Sequence, residues 1–168
     1  MRITLELDPQ DVARFEAALA SARRVAEGID ECVAIDAVRE ALARLPLARA
    51  PAYVRRQFDG VRRLIAMLED DEWALPRPQR IDVLATLVYI ADPEDLIPDD
   101  TAVIGYLDDA ILIEVLLARA APLLAAHAEF AAARARLVAA SDAACEAARV
   151  ERARALARAR GELLARVG

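Results

Sequence analysis

Val83-Leu84-Ala85-Thr86-Leu87-Val88-Tyr89-Ile90-Ala91 and, beyond an aspartate-rich interval, Ala110-Ile111-Leu112-Ile113-Glu114-Val115-Leu116-Leu117-Ala118 decide the fold. Neither run alternates with period two, and neither leaves a polar face at helical spacing. A helix that is apolar nearly all round belongs at the centre of a bundle. The two are therefore expected to lie side by side as a core hairpin within residues 76–121, with the rest of the chain packed around them.

Upstream, the apolar residues recur at three and four. Asp8 and Pro9 start a helix with Val12, Phe15, Leu19, Ala22 and Ala26 on one face, and Gly28 ends it. Asp30 caps a second, with Cys32, Ile35, Val38, Leu42 and Leu45 on its stripe before Pro46. A third starts near Pro51 and carries Val54, Phe58, Val61, Ile65 and Leu68. The acidic turn Glu69-Asp70-Asp71-Glu72, followed by Trp73 and Pro76-Arg77-Pro78, reads as the clearest linker, with Trp73 as a loop anchor packed on the bundle. Before all of these, Arg2-Ile3-Thr4-Leu5-Glu6-Leu7 alternates with period two and reads as a short strand.

Downstream, Pro122 opens an alanine and arginine helix over 122–168, anchored early by Leu123, Leu124, Phe130, Leu137 and Val138. Unbroken to Val167 it would be roughly 65–70 Å long. Ser141-Asp142 offers a break, because both residues cap helices. The expected fold class is therefore all-α: a multi-helix bundle with one short N-terminal β-strand and a long C-terminal helix. Residues 1–168 form a single domain, with the strand and first helices in 1–75. A chain of 168 residues buries enough of its own surface to need neither disulfide nor metal.

Charge is segregated along the chain. Between Ile81 and Ala118 there is no arginine, only Asp82, Asp92, Glu94, Asp95, Asp99, Asp100, Asp108, Asp109 and Glu114; from Arg119 onward arginine dominates, and the net charge is −6. An acidic middle and a basic tail attract each other within or between chains. No lysine occurs, which removes Schiff-base and lysine general-base chemistry. Cys32 and Cys145 lack metal or redox spacing and read as reduced core thiols. No secretory leader and no uncharged span of membrane length is visible, so the protein is expected in the cytoplasm.

The interval itself, Asp95-Leu96-Ile97-Pro98-Asp99 and then Gly105-Tyr106-Leu107-Asp108-Asp109, resembles the YkvA-like family, bacterial proteins with a domain of unknown function marked by these two blocks. The resemblance covers Asp82 to Leu117 and implies a helical fold with a shared acidic corner, and no established reaction, cofactor or partner. Asp100-Thr101-Ala102-Val103 departs from the apolar residues and proline that members often carry after the first block. Physically, Pro93 and Pro98 stop helix continuation and Gly105 permits a tight turn, while Asp108 and Asp109 favour the positive end of the next helix. On that reading the aspartates cap and turn the chain. The alternative is that Asp95, Asp99, Asp108 and Asp109 converge on Mg²⁺ or Ca²⁺, which take oxygen ligands.

Other chemistry is poorly supplied. Ser21, Ser141 and His127 stand in no nucleophile motif, and five scattered glycines make no phosphate loop. His127, among alanines, reads as a packing histidine. An enzyme is expected only through the acidic corner. A strand followed by two helices also mimics a ribbon-helix-helix DNA-binding dimer, with Arg2, Thr4 and Glu6 on the reading face, but Glu6 and balanced charge over residues 1–80 oppose phosphate contact. The reading ranked first is an interaction or structural protein, a homodimer with a possible protein partner, no nucleic acid, no membrane span and no cofactor.

Overall fold

A computed structural model describes residues 9–44, 50–91, 105–139 and 146–167. Among these residues six helices follow one another: α1 (Pro9–Gly28), α2 (Glu31–Arg44), α3 (Ala52–Leu68), α4 (Arg77–Ala91), α5 (Gly105–Ala139) and α6 (Glu146–Val167). Their starts follow the sequence signals. Pro9 opens α1, and Asp30 Oδ1 accepts the Cys32 N–H at 2.8 Å at the head of α2. Pro51, with φ −55° and ψ 151°, precedes α3 in extended geometry that the helix does not continue.

The anticipated N-terminal strand is corrected. All described elements are helices, and no strand exists among the described residues; positions 2–7 lie outside them. A strand needs an edge to satisfy its N–H and C=O groups, and the six described helices offer none. With it goes the strand-and-two-helix order on which a ribbon-helix-helix reading rested.

The long C-terminal helix is also corrected. α5 does not begin at Pro122 but runs through it, and a separate α6 begins at Glu146. Pro122 removes one backbone donor, yet Leu116, Ala120, Ala126 and Phe130 are buried on both sides of it and hold the helix together. α6 then packs back along α5, seating Leu156 and Leu163 and joining Arg166 to Glu129 at 2.9 Å.

The two apolar helices do not form the core hairpin expected of them. α4 lies chiefly against α1 and α2, whereas α5 lies against α3 and α6, and the two touch only briefly. α4 is wrapped, with Val83, Leu84, Ala85, Thr86, Leu87, Tyr89 and Ile90 all buried, which is why its sequence lacks a polar face. α5 buries Ile113 and Leu116 but leaves Val115 exposed and Leu112 half-buried, so one side of its apolar run is a flank. Cys32 likewise faces solvent at the start of α2, where Ala34, Ile35, Val38 and Leu42 do the packing; Cys145 lies outside the described residues.

Polar contacts give the helices their order. Arg23 pairs with Asp82 and the Phe15 ring meets that of Tyr89 edge-on at 5.6 Å, so α1 and α4 are antiparallel. Tyr53 meets Glu114, and Asp70, just past α3, meets His127; α3 and α5 therefore run parallel. Between them Gly60 is buried where a Cβ would strike the Leu117 methyls, so the Leu117 side chain seats directly on the α3 backbone.

Candidate functional site

Asp95 and Asp99 lie outside the described residues. Asp108 and Asp109 fall in the first turns of α5, with side chains outside the described ones. Among the described residues no group of three or more His, Cys, Asp or Glu side chains converges as a cation site would require.

Among the described residues the densest polar cluster forms at the acidic turn after α3. Asp70 Oδ1 accepts the backbone N–H of Trp73 at 3.1 Å and of Glu72 at 3.2 Å, an Asx-type turn that closes the end of α3. Ala74 completes that turn at φ 44°, a left-handed conformation strained for a residue with a Cβ. The same carboxylate receives Arg134 Nη1 at 2.8 Å and sits 3.0 Å from His127 Nε2. Arg134 also reaches Glu72 at 3.1 Å and lies over the Phe130 ring. Burial pushes the Asp70 carboxyl up, but Arg134, His127 and the Trp73 N–H together outweigh it and hold the group down at about 2.

Trp73, fully buried, is the apolar half of the cluster. Its ring lies 5.3 Å from Phe130 and 5.7 Å from His127. The loop-anchor role read from sequence thus matches its packing. Asp70 and His127 resemble the carboxylate and imidazole of a general-base pair, but such a pair needs a nucleophile or a substrate space beside it. Ser21 is exposed on α1, and Ser141 lies outside the described residues. The described contacts of the cluster orient and lock the turn, Trp73 and α5 against one another.

This cluster was missed as a unit in the sequence, because Asp70 and His127 are separated by 57 positions. A signal was available. His127, Phe130 and Arg134 recur at three and four and share one face of α5, so a donor pair flanking an aromatic was aimed at one spot.

A second set of contacts ties α4 and α5 to the earlier helices. Arg80 engages both carboxylate oxygens of Glu31 on α2 and donates to the Leu68 carbonyl at 2.7 Å, satisfying the end of α3. Tyr53 donates to Glu114 Oε2 at 2.5 Å; burial and that carboxylate push the phenol up to about 12. Arg119 engages Glu16 and lies over Phe15, linking α5 to α1. Among the described residues, two buried atoms, Trp73 Nε1 and Gln79 Oε1, have no hydrogen-bond partner.

Between α2 and α3 runs an open groove of about 390 Å³, floored by Leu42 and Ile65 and edged by Arg39, Arg62 and Glu69. Arg39 and Glu69 close one side of it with a 2.7 Å ion pair. The only described helix long and apolar enough to cross a membrane is α5, over Leu112–Ala139.

Residues 80–114 match the family described as "Protein of unknown function (DUF1232)". The match begins at Arg80 and ends at Glu114, the two residues that pin α4 and α5 to α2 and α3, and it overlaps the Asp82–Leu117 stretch on which the resemblance was read. No curated protein and no solved structure matches the chain. The chain thus carries a stretch similar to a domain family of unknown function, and that similarity assigns no activity.

Proposed function

We propose that this chain is an interaction or structural protein of the YkvA-like kind, acting in the cytoplasm. The observation that carries the reading is how its polar side chains are used. Among the described residues, charged side chains with partners far along the chain join one element to another: Asp70 with His127 and Arg134, Arg80 with Glu31, and at the surface Glu114 with Tyr53 and Arg119 with Glu16. A catalytic site instead keeps such groups turned toward a substrate space. The apolar length of α5 is read as bundle scaffold rather than a membrane span, because Glu114, Arg119, Glu129 and Arg134 along it each engage another element.

Photo-crosslinking residues placed in cells at the exposed positions Val33, Val138 and Val150 test it. Discrete adducts with another protein chain are expected, and silence at every position sinks the reading. A thermal-shift series with Mg²⁺, Mn²⁺, Ca²⁺ and chelator is expected to leave Tm unmoved. A cation-dependent rise would favour instead a divalent-metal site at Asp95, Asp99, Asp108 and Asp109.

A further inference from the structure

The middle of α3 presents one narrow face to solvent. Arg55, Arg56, Asp59, Arg62 and Arg63 are exposed there, on the side opposite Val54, Phe58, Val61, Leu64 and Leu68. At about 100° per residue they fall within a sector of about 120°, guanidinium groups around a single carboxylate. Asp59 lies 2.6 Å from Arg62 and offsets one of the arginines, so the face keeps a positive excess. α6 carries Arg152, Arg154, Arg158 and Arg160, but the same geometry scatters those around the helix. The α3 set is gathered on one side.

The α2–α3 groove borders this face. Arg62 lines it, and exposed Ala43 and Ala66 form its mouth above Leu42 and Ile65. On the α2 wall charge is balanced, since Arg39 is 2.7 Å from Glu69 and 3.7 Å from Asp36. Arginine excess, aliphatic carbon and a neutral wall therefore lie side by side. A helix with carboxylates along one edge and aliphatic side chains at three and four beside them complements all of these. Nucleic acid and lipid headgroups complement the arginines but have no aliphatic side chain to set in the groove.

We propose that the arginine face of α3 and the adjoining α2–α3 groove dock an acidic amphipathic helix of another protein, its carboxylates on Arg55, Arg56 and Arg63 and its aliphatic side chains over Ala43 and Ala66. The inference rests on the interaction-protein reading and names the surface and the chemistry of the partner. From Arg55 to Arg63 the face runs about 12 Å, roughly two turns of such a helix. The net charge of −6 belongs to the whole chain; at physiological salt, charges more than about 8 Å away are largely screened, so the local excess decides.

Fluorescence anisotropy on the full chain tests this with a labelled synthetic helix of about four turns, glutamate on one edge and leucine at three and four beside it. Binding is expected, with a dissociation constant that rises about tenfold or more as salt goes from about 50 to about 500 mM. The glutamine analogue of the peptide, and a scrambled isomer that disperses its leucines, are each expected to bind about tenfold more weakly or worse. Arg55→Glu/Arg56→Glu/Arg63→Glu, substituted on an exposed helix face, is expected to stay folded, to lose the acidic peptide and to gain its lysine counterpart. Ala43→Glu/Ala66→Glu is expected to weaken binding with every arginine in place. Should the charge-reversed chain misfold, the glutamine and scrambled peptides on the native chain decide. The proposal is overturned if the native chain does not bind the acidic peptide, if the charge-reversed chain binds it as the native chain does, or if the scrambled isomer binds equally well. It is overturned as well if poly(U) RNA or phosphatidylserine vesicles bind more tightly than the peptide and lose that binding in the charge-reversed chain, or if the native chain forms a dimer that charge reversal breaks. Should the peptide fail while adducts to other proteins still form in cells, the docking surface falls and the interaction-protein reading stands.

Discussion

His127 Nε2 lies 3.0 Å from Asp70 Oδ2, joining the middle of α5 to the turn that leaves α3. With Arg134 on the same carboxylate, one half-buried acid fixes the turn, the helix and the Trp73 ring together.

Acid should loosen this joint in a defined window. The Asp70 carboxyl is held at about 2 against an ordinary 3.8, so its stabilisation is complete above the ordinary value and is lost as pH falls toward 2. The difference is worth about 2 kcal/mol. Asp70→Asn should lower stability by about that amount near neutral pH and flatten the stability profile below about pH 4, measured by urea unfolding.

At the alkaline end the sign reverses in origin. Tyr53 is held neutral up to about 12, above its ordinary 10.0, because burial and Glu114 oppose the phenolate. Its contribution is present below the ordinary value and fades as pH rises through the shifted one. Tyrosinate absorbance should show a late-titrating component that is lost in Tyr53→Phe. A Tyr53→Phe titration that matches the native one would refute the assignment.

Trp73 is the chain's one tryptophan and is fully buried, so its emission should be blue-shifted in the native protein and move red on unfolding. Trp73→Ala should cost about 3–5 kcal/mol in chemical denaturation, the range for removing a large aromatic from a packed core.

Ala74 carries a left-handed φ of 44° that a glycine adopts without steric cost. Ala74→Gly should therefore stabilise the protein or leave it unchanged, within about 1 kcal/mol, against the loss seen for most alanine-to-glycine changes. A clear drop in Tm would show that the strain argument fails.

In Gly60→Ala the steric penalty of a Cβ against the half-buried, movable Leu117 side chain should roughly offset alanine's helix preference of about 1 kcal/mol, leaving stability within about 1 kcal/mol of the native protein. In Leu117→Ala the penalty should shrink or invert, and a double-mutant cycle reads the coupling directly.

Much of the helix content was legible in the sequence, because period and caps are local properties. Asp30 caps α2 where it was expected to, and Val54, Phe58, Val61, Ile65 and Leu68 all enter the core. The N-terminal strand illustrates the opposite case: alternation describes the faces of a segment, but a strand also requires a partner edge, which no local pattern reports. The acidic-corner aspartates were conspicuous by composition alone, and composition carries no convergence.

What the sequence by itself determined is which segments are apolar enough to be helices in a bundle and where charge of each sign is concentrated. Tertiary structure alone decided which helix each one faces. The all-apolar character of α4 and of early α5 was consistent with mutual packing, yet α4 is enclosed by α1 and α2 while α5 rides on α3 and α6. An apolar surface is satisfied by any apolar neighbour, so its sequence sets the amount of burial and leaves the partner open. Hydrogen bonds between distant residues break that degeneracy. Asp70 with His127, Arg80 with Glu31 and Tyr53 with Glu114 are directional and exist only once the chain has folded.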